Sequence, residues 1–169
     1  MITLKQILVA TDFSEASEAA LLYGKNFARV HRATLHVLHV IDDLMARAIA
    51  PVGRAPDLGA LQEELDADAH DRVAELLTDE ERSVLDAKAV VVTGRKPAEA
   101  IVSYAREHDI ELIIIGTHGR KGLAHLVMGS VAEKIIAGAP CPVLTVKHPE
   151  REFIRPDALQ AARTSSAVH

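Results

Sequence analysis

Aromatic side chains are scarce in this chain, with three Phe, two Tyr and no Trp among 169 residues. Proteins that hold single-stranded nucleic acid stack its bases on aromatic rings, so that class lacks its main device here. Positive charge is not in excess either. Nineteen Lys and Arg face 24 Asp and Glu, and a net charge of −5 provides no global field for nucleic acid. The single cysteine, Cys141, rules out an internal disulfide and a Cys-based zinc cage, and suits a reducing, cytoplasmic setting. No apolar run reaches membrane-spanning length, so no membrane insertion is expected. The start, Met1-Ile2-Thr3-Leu4-Lys5, passes directly into a strand pattern with no signal-peptide character.

What is abundant is aliphatic. Hydrophobic residues make up 49% of the chain, enough for one domain with a sizeable core and little room for a second. Residues 7–10 are a short apolar run typical of a parallel strand buried on both faces. Thr11-Asp12-Phe13-Ser14 then turns, with Ser14 as N-cap and Glu15 and Glu18 favouring a helix start. Ala16, Ala20, Tyr23, Phe27 and Val30 recur at helical spacing and predict a helix over 15–32. A second strand covers 34–41. Its His36 and His39, three apart on a strand, point to opposite faces and cannot clamp one ion.

Residues 42–57 contain Pro51, Gly53 and Pro56 without a clean period and read as a long loop. Leu58, Leu61, Leu65, Ala69, Val73 and Leu76 mark an amphipathic helix. A third strand over 87–93 is followed by the turn Gly94-Arg95-Lys96, and Pro97 suits the first position of a helix that runs to Asp109. A fourth strand (111–115), a glycine-bearing loop, a helix from about 130 to 138 and a fifth strand (142–147) complete the pattern. Cys141 sits between two prolines and reads as a packing residue. The alternation of strand and helix predicts an α/β fold, an open five-stranded parallel sheet with helices on both faces and right-handed crossovers. Ligands of such sheets bind beyond the carboxyl ends of the strands, where strand order reverses. Thr11-Asp12, Val40-Ile41-Asp42, Gly94-Arg95-Lys96 and the glycine loop all lie at those ends.

The loop is the richest motif. Leu112-Ile113-Ile114-Ile115 leads into Gly116-Thr117-His118-Gly119-Arg120-Lys121, and the next helix opens at Gly129-Ser130-Val131. Glycines at 116, 119 and 129 leave backbone open to a bulky ligand. The helix opening at Ser130 directs unpaired N–H groups and the positive end of its dipole into the same space, which suits phosphate. The competing reading is structural: Gly116 ends a strand, Gly119 and Gly122 shape turns, and Ser130-x-x-Glu133 forms a capping box that satisfies the helix start without a ligand. Neither GxxxxGK[ST] nor GxGxxG is present.

The full spacing Gly116-x2-Gly119-x9-Gly129-Ser130 resembles the nucleotide-binding signature of the universal stress protein family. The run Ile7 through Ser14 is similar to that family's first strand and Asp-bearing turn, and Ala139 through Val146 to its last strand. The resemblance covers residues 1–148; the tail, 149–169, lies beyond it, with a short helix possible over 157–163. The resemblance implies a Rossmann-like sheet of order 3-2-1-4-5. It implies ATP, with Mg²⁺, as cofactor: adenine near Ala10, Thr11, Asp12 and Val40, and ribose and phosphates against Gly116, Thr117, Gly119, Arg120, Gly129, Ser130 and Val131. Asp12 would accept a hydrogen bond from adenine or ribose, or help hold Mg²⁺; its structural alternative is an Asx turn. Arg95, Lys96, Arg120 and Lys121 would form a cationic rim for the outer phosphates, or else be solvated. The family also implies a homodimer joined along the last strand. Three functions stay open: an ATP-binding stress or signalling module, a slow ATPase or ATP-dependent transferase using Asp12 or His118, and a protein-interaction member that binds no nucleotide.

Overall fold

The computed structural model describes residues 3–44, 58–117 and 128–147. Among them the order is β1 (Gln6–Thr11), α1 (Glu15–His31), β2 (Thr34–Ile41), α2 (Leu58–Glu75), α3 (Asp79–Val84), β3 (Lys88–Thr93), α4 (Pro97–Glu107), β4 (Leu112–Gly116), α5 (Ser130–Gly138) and β5 (Val143–Val146). Most of the expected 42–57 loop, most of the glycine loop and the tail fall outside the described residues. The strands form one sheet of order β3-β2-β1-β4-β5, every pair parallel, as the family resemblance implied. Among the described residues, no helix is long and apolar enough to cross a membrane.

Successive strand residues face opposite sides, so the aliphatic runs build two cores at once. Ile7, Val9, Leu35, Val37 and Ile114 pack with Ala20, Leu21 and Ala28 of α1 and Val73 of α2. Leu8, Leu38, Ile113 and Ile115 pack with Ala98, Ile101 and Ala105 of α4 and Ala132 and Ile135 of α5.

The helices start and stop for local reasons. Ser14 caps α1 by accepting the Ser17 N–H, and Arg32 ends it in the left-handed region at φ 55°. The buried stripe of α1 is Ala16, Ser17, Ala20, Leu21, Gly24 and Ala28. It consists of small residues and Leu21, which let the helix lie close on the sheet. Tyr23 and Phe27 become its flank, and Val30, expected on the buried face, is 79% exposed. In α2 only Ala69 and Val73 are buried, while Leu61 and Leu65 are exposed, so the expected apolar face is used only in its carboxyl half. The short α3 adds to the expected elements, and Thr78-Asp79-Glu80-Glu81 carries its signal as a complete capping box. Glu81 also accepts from Lys25 Nζ at 2.8 Å and Arg29 at 3.2 Å, which ties α3 to α1. Burial alone would raise its carboxyl pKa, but the hydrogen bonds from Lys25 and the Thr78 N–H, with the two positive charges, hold it below the usual value.

At the amino end of the sheet His36 is buried, its Nδ1 2.7 Å from the Tyr104 hydroxyl and its Nε2 2.8 Å from Gln6 Oε1. The amide oxygen only accepts, so Nε2 carries the proton and Nδ1 accepts from Tyr104. Burial, then the charges of Lys88 and His108, push His36 down to about 4 against the opposing pull of Asp86. Between about pH 6.5 and 4 the unfolded chain therefore binds more protons, and stability falls as pH drops through that window. The loss is at most about 3 kcal/mol, because each tenfold weakening of proton binding corresponds to about 1.4 kcal/mol. Urea midpoints measured at pH 7.5, 6 and 5 should fall steadily, and His36→Leu should flatten that slope.

Gly116 lies where the first turn of α1 crosses close to the sheet. A Cβ there would lie 2.8 Å from the backbone carbonyl carbon and oxygen of Ala16. The absent side chain faces α1 rather than a ligand, so packing gives this glycine its reason. Gly116→Ala should destabilise the protein by about 1–3 kcal/mol, the usual range for overpacking, read as a lower urea midpoint at pH 7.5. A neutral result would mean that α1 retreats at no cost.

Candidate functional site

β1 is flanked by β2 on one side and β4 on the other, and its helix α1 packs on the opposite face from α5, the helix that follows β4. The strand order reverses here, opening a crevice at the carboxyl ends. Ala10 pairs with both Leu38 and Ile115, and Thr11 stands opposite His39. β1 and β4 thus end level, while β2 continues through Val40 and Ile41.

The turn after β1 is held by its own polar groups. The buried Thr11 hydroxyl lies 3.1 Å from Ser17 Oγ and accepts the Phe13 N–H at 3.1 Å. Asp12 Oδ1 accepts both the Ser14 N–H, at 3.1 Å, and the Ser14 hydroxyl, at 2.5 Å. The Asx turn expected as a structural alternative for Asp12 is therefore formed. The Thr11 side chain lies on the α1 side and braces that helix. Ala10 and Val40 pack on the other face, in the α4–α5 core, half-buried at its rim.

Across the crevice the start of α5 is fixed through Thr117. Its N–H donates to the Val146 carbonyl at 2.8 Å, and its carbonyl accepts the Gly129 N–H at 2.7 Å. Gly129, extended at φ −77°, is the N-cap, and among the described residues no side chain caps the helix. Ser130 is the first helical residue, so the expected Ser130–Glu133 capping box does not form; a cap must stand one position before the first turn. Among the described residues, a Cβ on Gly129 would meet only the Thr117 carbonyl, at an ordinary 3.4 Å. Neither its backbone angles nor these neighbours demand glycine. Ser130 and Val131 beside it are exposed.

The expected cationic rim is only partly visible. Lys96 turns to Glu99 of its own helix at 2.7 Å, with both side chains exposed. Gly119 and Arg120, together with His118 and Lys121, lie outside the described residues. Arg95 follows β3, three strand positions from β4, or roughly 14 Å at the usual spacing. The two histidines of β2 part as the strand period requires, His36 toward Tyr104 on α4 and His39 toward Phe13. Among the described residues no group of three metal-ligating side chains gathers. Sequence reasoning missed Phe13, which has a left-handed φ of 62°, and the bond from His39 Nδ1–H to the Thr11 carbonyl at 2.7 Å. Nothing in the local pattern signals either.

Comparison with known proteins agrees with this geometry. The model of the universal stress protein family matches residues 3–147. Universal stress protein MJ0577 of Methanocaldococcus jannaschii is 31% identical over 154 residues, covering 85% of this chain and 94% of its own. The solved structure of MJ0577 overlays with a TM-score of 0.71 at 30% identity, covering 88% of this chain and 99% of its own. UspA of Lactobacillus plantarum overlays with a TM-score of 0.67 at 28% identity, covering 86% and 99%. Two further universal stress proteins, one solved with cAMP and one from Archaeoglobus fulgidus with dAMP, share the fold at 19% and 24% identity and TM-scores of 0.55 and 0.50. They cover 86% of this chain each, and 98% and 100% of their own. With its sheet order, its Asp-bearing turn and a match over nearly its whole described length, the chain belongs to the universal stress protein family.

Proposed function

We propose that this chain binds an adenine nucleotide, ATP with Mg²⁺, at the carboxyl ends of β1 and β4, and acts as a stress-response or signalling module whose dimeric form or partner choice the nucleotide biases. The observation that carries this reading is the start of α5: an extended glycine N-cap with, among the described residues, no side-chain cap, held beside the end of β4 by the backbone bonds of the buried Thr117. Unpaired N–H groups and the helix dipole favour an anion there. The amides of Ser130 and Val131 are the proposed phosphate donors, and Gly129, whose own N–H is given to the Thr117 carbonyl, lets the phosphate approach because it carries no side chain. Ala10 and Val40 would form an apolar wall for the base. Asp12 would accept from ribose or share Mg²⁺ with phosphate oxygens. Gly119 and Arg120 come to the site through the family resemblance. The adenine nucleotides held by the cAMP- and dAMP-bound relatives are of the same ligand class. Because Asp12 Oδ1 already accepts two hydrogen bonds, a positioning role fits it better than that of a general base.

Gly129→Asp separates binding from folding. Aspartate is a good N-cap at these backbone angles, so stability should hold or rise by a few tenths of a kcal/mol. The carboxylate would take the amides and repel phosphate, so ATP affinity should drop at least about tenfold, the equivalent of 1.4 kcal/mol. Isothermal titration checks this. No binding to the wild type up to about 1 mM, roughly 4 kcal/mol, would remove the nucleotide reading.

The second part of the proposal is dimerisation. β5 ends the sheet beside β4, and Val143-Leu144-Thr145-Val146 is an apolar edge. Pairing two copies about a two-fold axis would cover it without further growth. Light scattering at micromolar concentration should report twice the 18.2 kDa of one chain. A single-chain mass would count against it.

A further inference from the structure

We infer that His39 and Arg72 are positioning residues for the nucleotide site, acting from behind the sheet by holding the Asp12 turn in one conformation. The inference rests on the nucleotide-binding reading above and extends it to how the site is held and how α2 reaches it.

Phe13 directly follows Asp12 and adopts φ 62°. For a bulky L-residue the left-handed region is strained, and such a conformation persists only where surrounding contacts over-determine it. Among the described residues, these contacts do so. The Phe13 N–H is held by Thr11 Oγ1 at 3.1 Å. Its ring packs on His39, with centroids 4.5 Å apart at 48°. The Arg72 guanidinium carbon lies 3.9 Å from the centroid of the same ring, a cation–π contact. His39 in turn donates Nδ1–H to the Thr11 carbonyl at 2.7 Å, joining the end of β2 to the residue before Asp12. His39 is buried, while the Arg72 side chain is about half exposed and 3.8 Å from Asp68 one turn earlier on α2.

The stack runs from β2 through the Asp12 turn to the surface of α2. Without it, relaxation of φ at Phe13 would swing the Asp12 peptide and carboxylate, because one backbone angle redirects everything before it. Only the held conformer presents Asp12 to the crevice, so apparent affinity scales with its population. His39 and Arg72 touch neither the α5 amides nor the α4–α5 face where the base is proposed. Their effect on binding passes through the turn. Asp68 and Arg72 on α2 thereby become a surface from which the turn can be tightened or loosened.

The test uses the full chain and four variants: His39→Leu, His39→Asn, Arg72→Leu and Arg72→Lys. Amide exchange at Phe13 and Ser14 is followed by NMR without nucleotide, and ATP affinity is measured by titration. His39→Leu should speed exchange at both amides and weaken ATP binding, each roughly tenfold, the scale of losing one hydrogen bond at about 1.4 kcal/mol. His39→Asn, whose amide nitrogen reaches where Nδ1 does, should restore most of both. Arg72→Leu should give about a threefold change and Arg72→Lys less, since lysine keeps the cation over the ring. Unchanged exchange in His39→Leu and Arg72→Leu would overturn the inference, as would faster exchange with unchanged ATP affinity. If His39→Leu does not fold, the surface pair at Arg72 and the Asn variant decide the matter alone. If the wild type binds no ATP, the nucleotide reading fails, and the exchange rates still decide whether the stack holds the turn.

Discussion

One residue organises the carboxyl end of the sheet. Thr117 is buried, so its N–H and carbonyl must find partners within the protein. They do so in opposite directions, the N–H to Val146 on β5 and the carbonyl from Gly129 ahead of α5. One link sets the end of the last strand against β4, and the other fixes where the last helix begins. Among the described residues, the start of α5 is thereby held by backbone alone. A side-chain cap would have held it too, but would have occupied the amides to which the proposed function gives the phosphates. The Thr117 carbonyl satisfies the cap residue and takes none of the amides that follow it.

Across the crevice, β1 ends by a different device. The Asp12 turn is assembled from hydroxyls, a carboxylate and a strained Phe13, all committed to one another and to α1. The two cores meet at this line. Thr11 and Gly116 serve the α1 face, whereas Ala10, Val40 and the start of α5 belong to the opposite one. The glycine signature accordingly answers two unrelated demands. Gly116 exists because a helix backbone lies too near for any Cβ. At Gly129 neither φ nor any described neighbour asks for glycine, and the proposed function supplies a reason in the approach of a ligand.

Much of this is legible in the residues. Unbroken aliphatic runs identify buried parallel strands to within a residue or two, Ser14 and Pro97 mark helix starts, and the family resemblance implies the strand order. Helix faces are less legible. In α1 helical spacing chooses Ala16, Ala20, Tyr23, Phe27 and Val30; Ala16 and Ala20 are buried, but beyond them the sheet is met by Gly24 and Ala28. Close packing favours the smallest side chains at the line of contact, and a size-weighted reading finds the flank instead. The Thr78–Glu81 capping box is real and easily overlooked, while the similar Ser130–Glu133 pattern misleads, because a box requires its hydroxyl one residue outside the helix. Long-range polar pairings, such as His39 with the Thr11 carbonyl, depend on strand register and have no local signature.

The two ends of the sheet use their polar groups differently. At the amino end, side chains close the structure: His36 joins Gln6 and Tyr104, and Glu111 takes the N–H groups of Lys5 and Gln6. Among the described residues no buried side-chain nitrogen or oxygen lacks a partner. The polar groups at that end keep the fold together, and making room for a ligand there would strand buried donors and acceptors at about 1–3 kcal/mol each. At the carboxyl end, parallel strands and their following helices present backbone N–H groups in one direction. Of α1, α4 and α5, only α1 is capped by a side chain among the described residues. The asymmetry follows from strand direction. In a parallel sheet helices start where strands end, so positive helix termini collect on one side. Ser14 covers that of α1 for folding; under the proposed function Gly129, which has no side chain, leaves that of α5 for an anion.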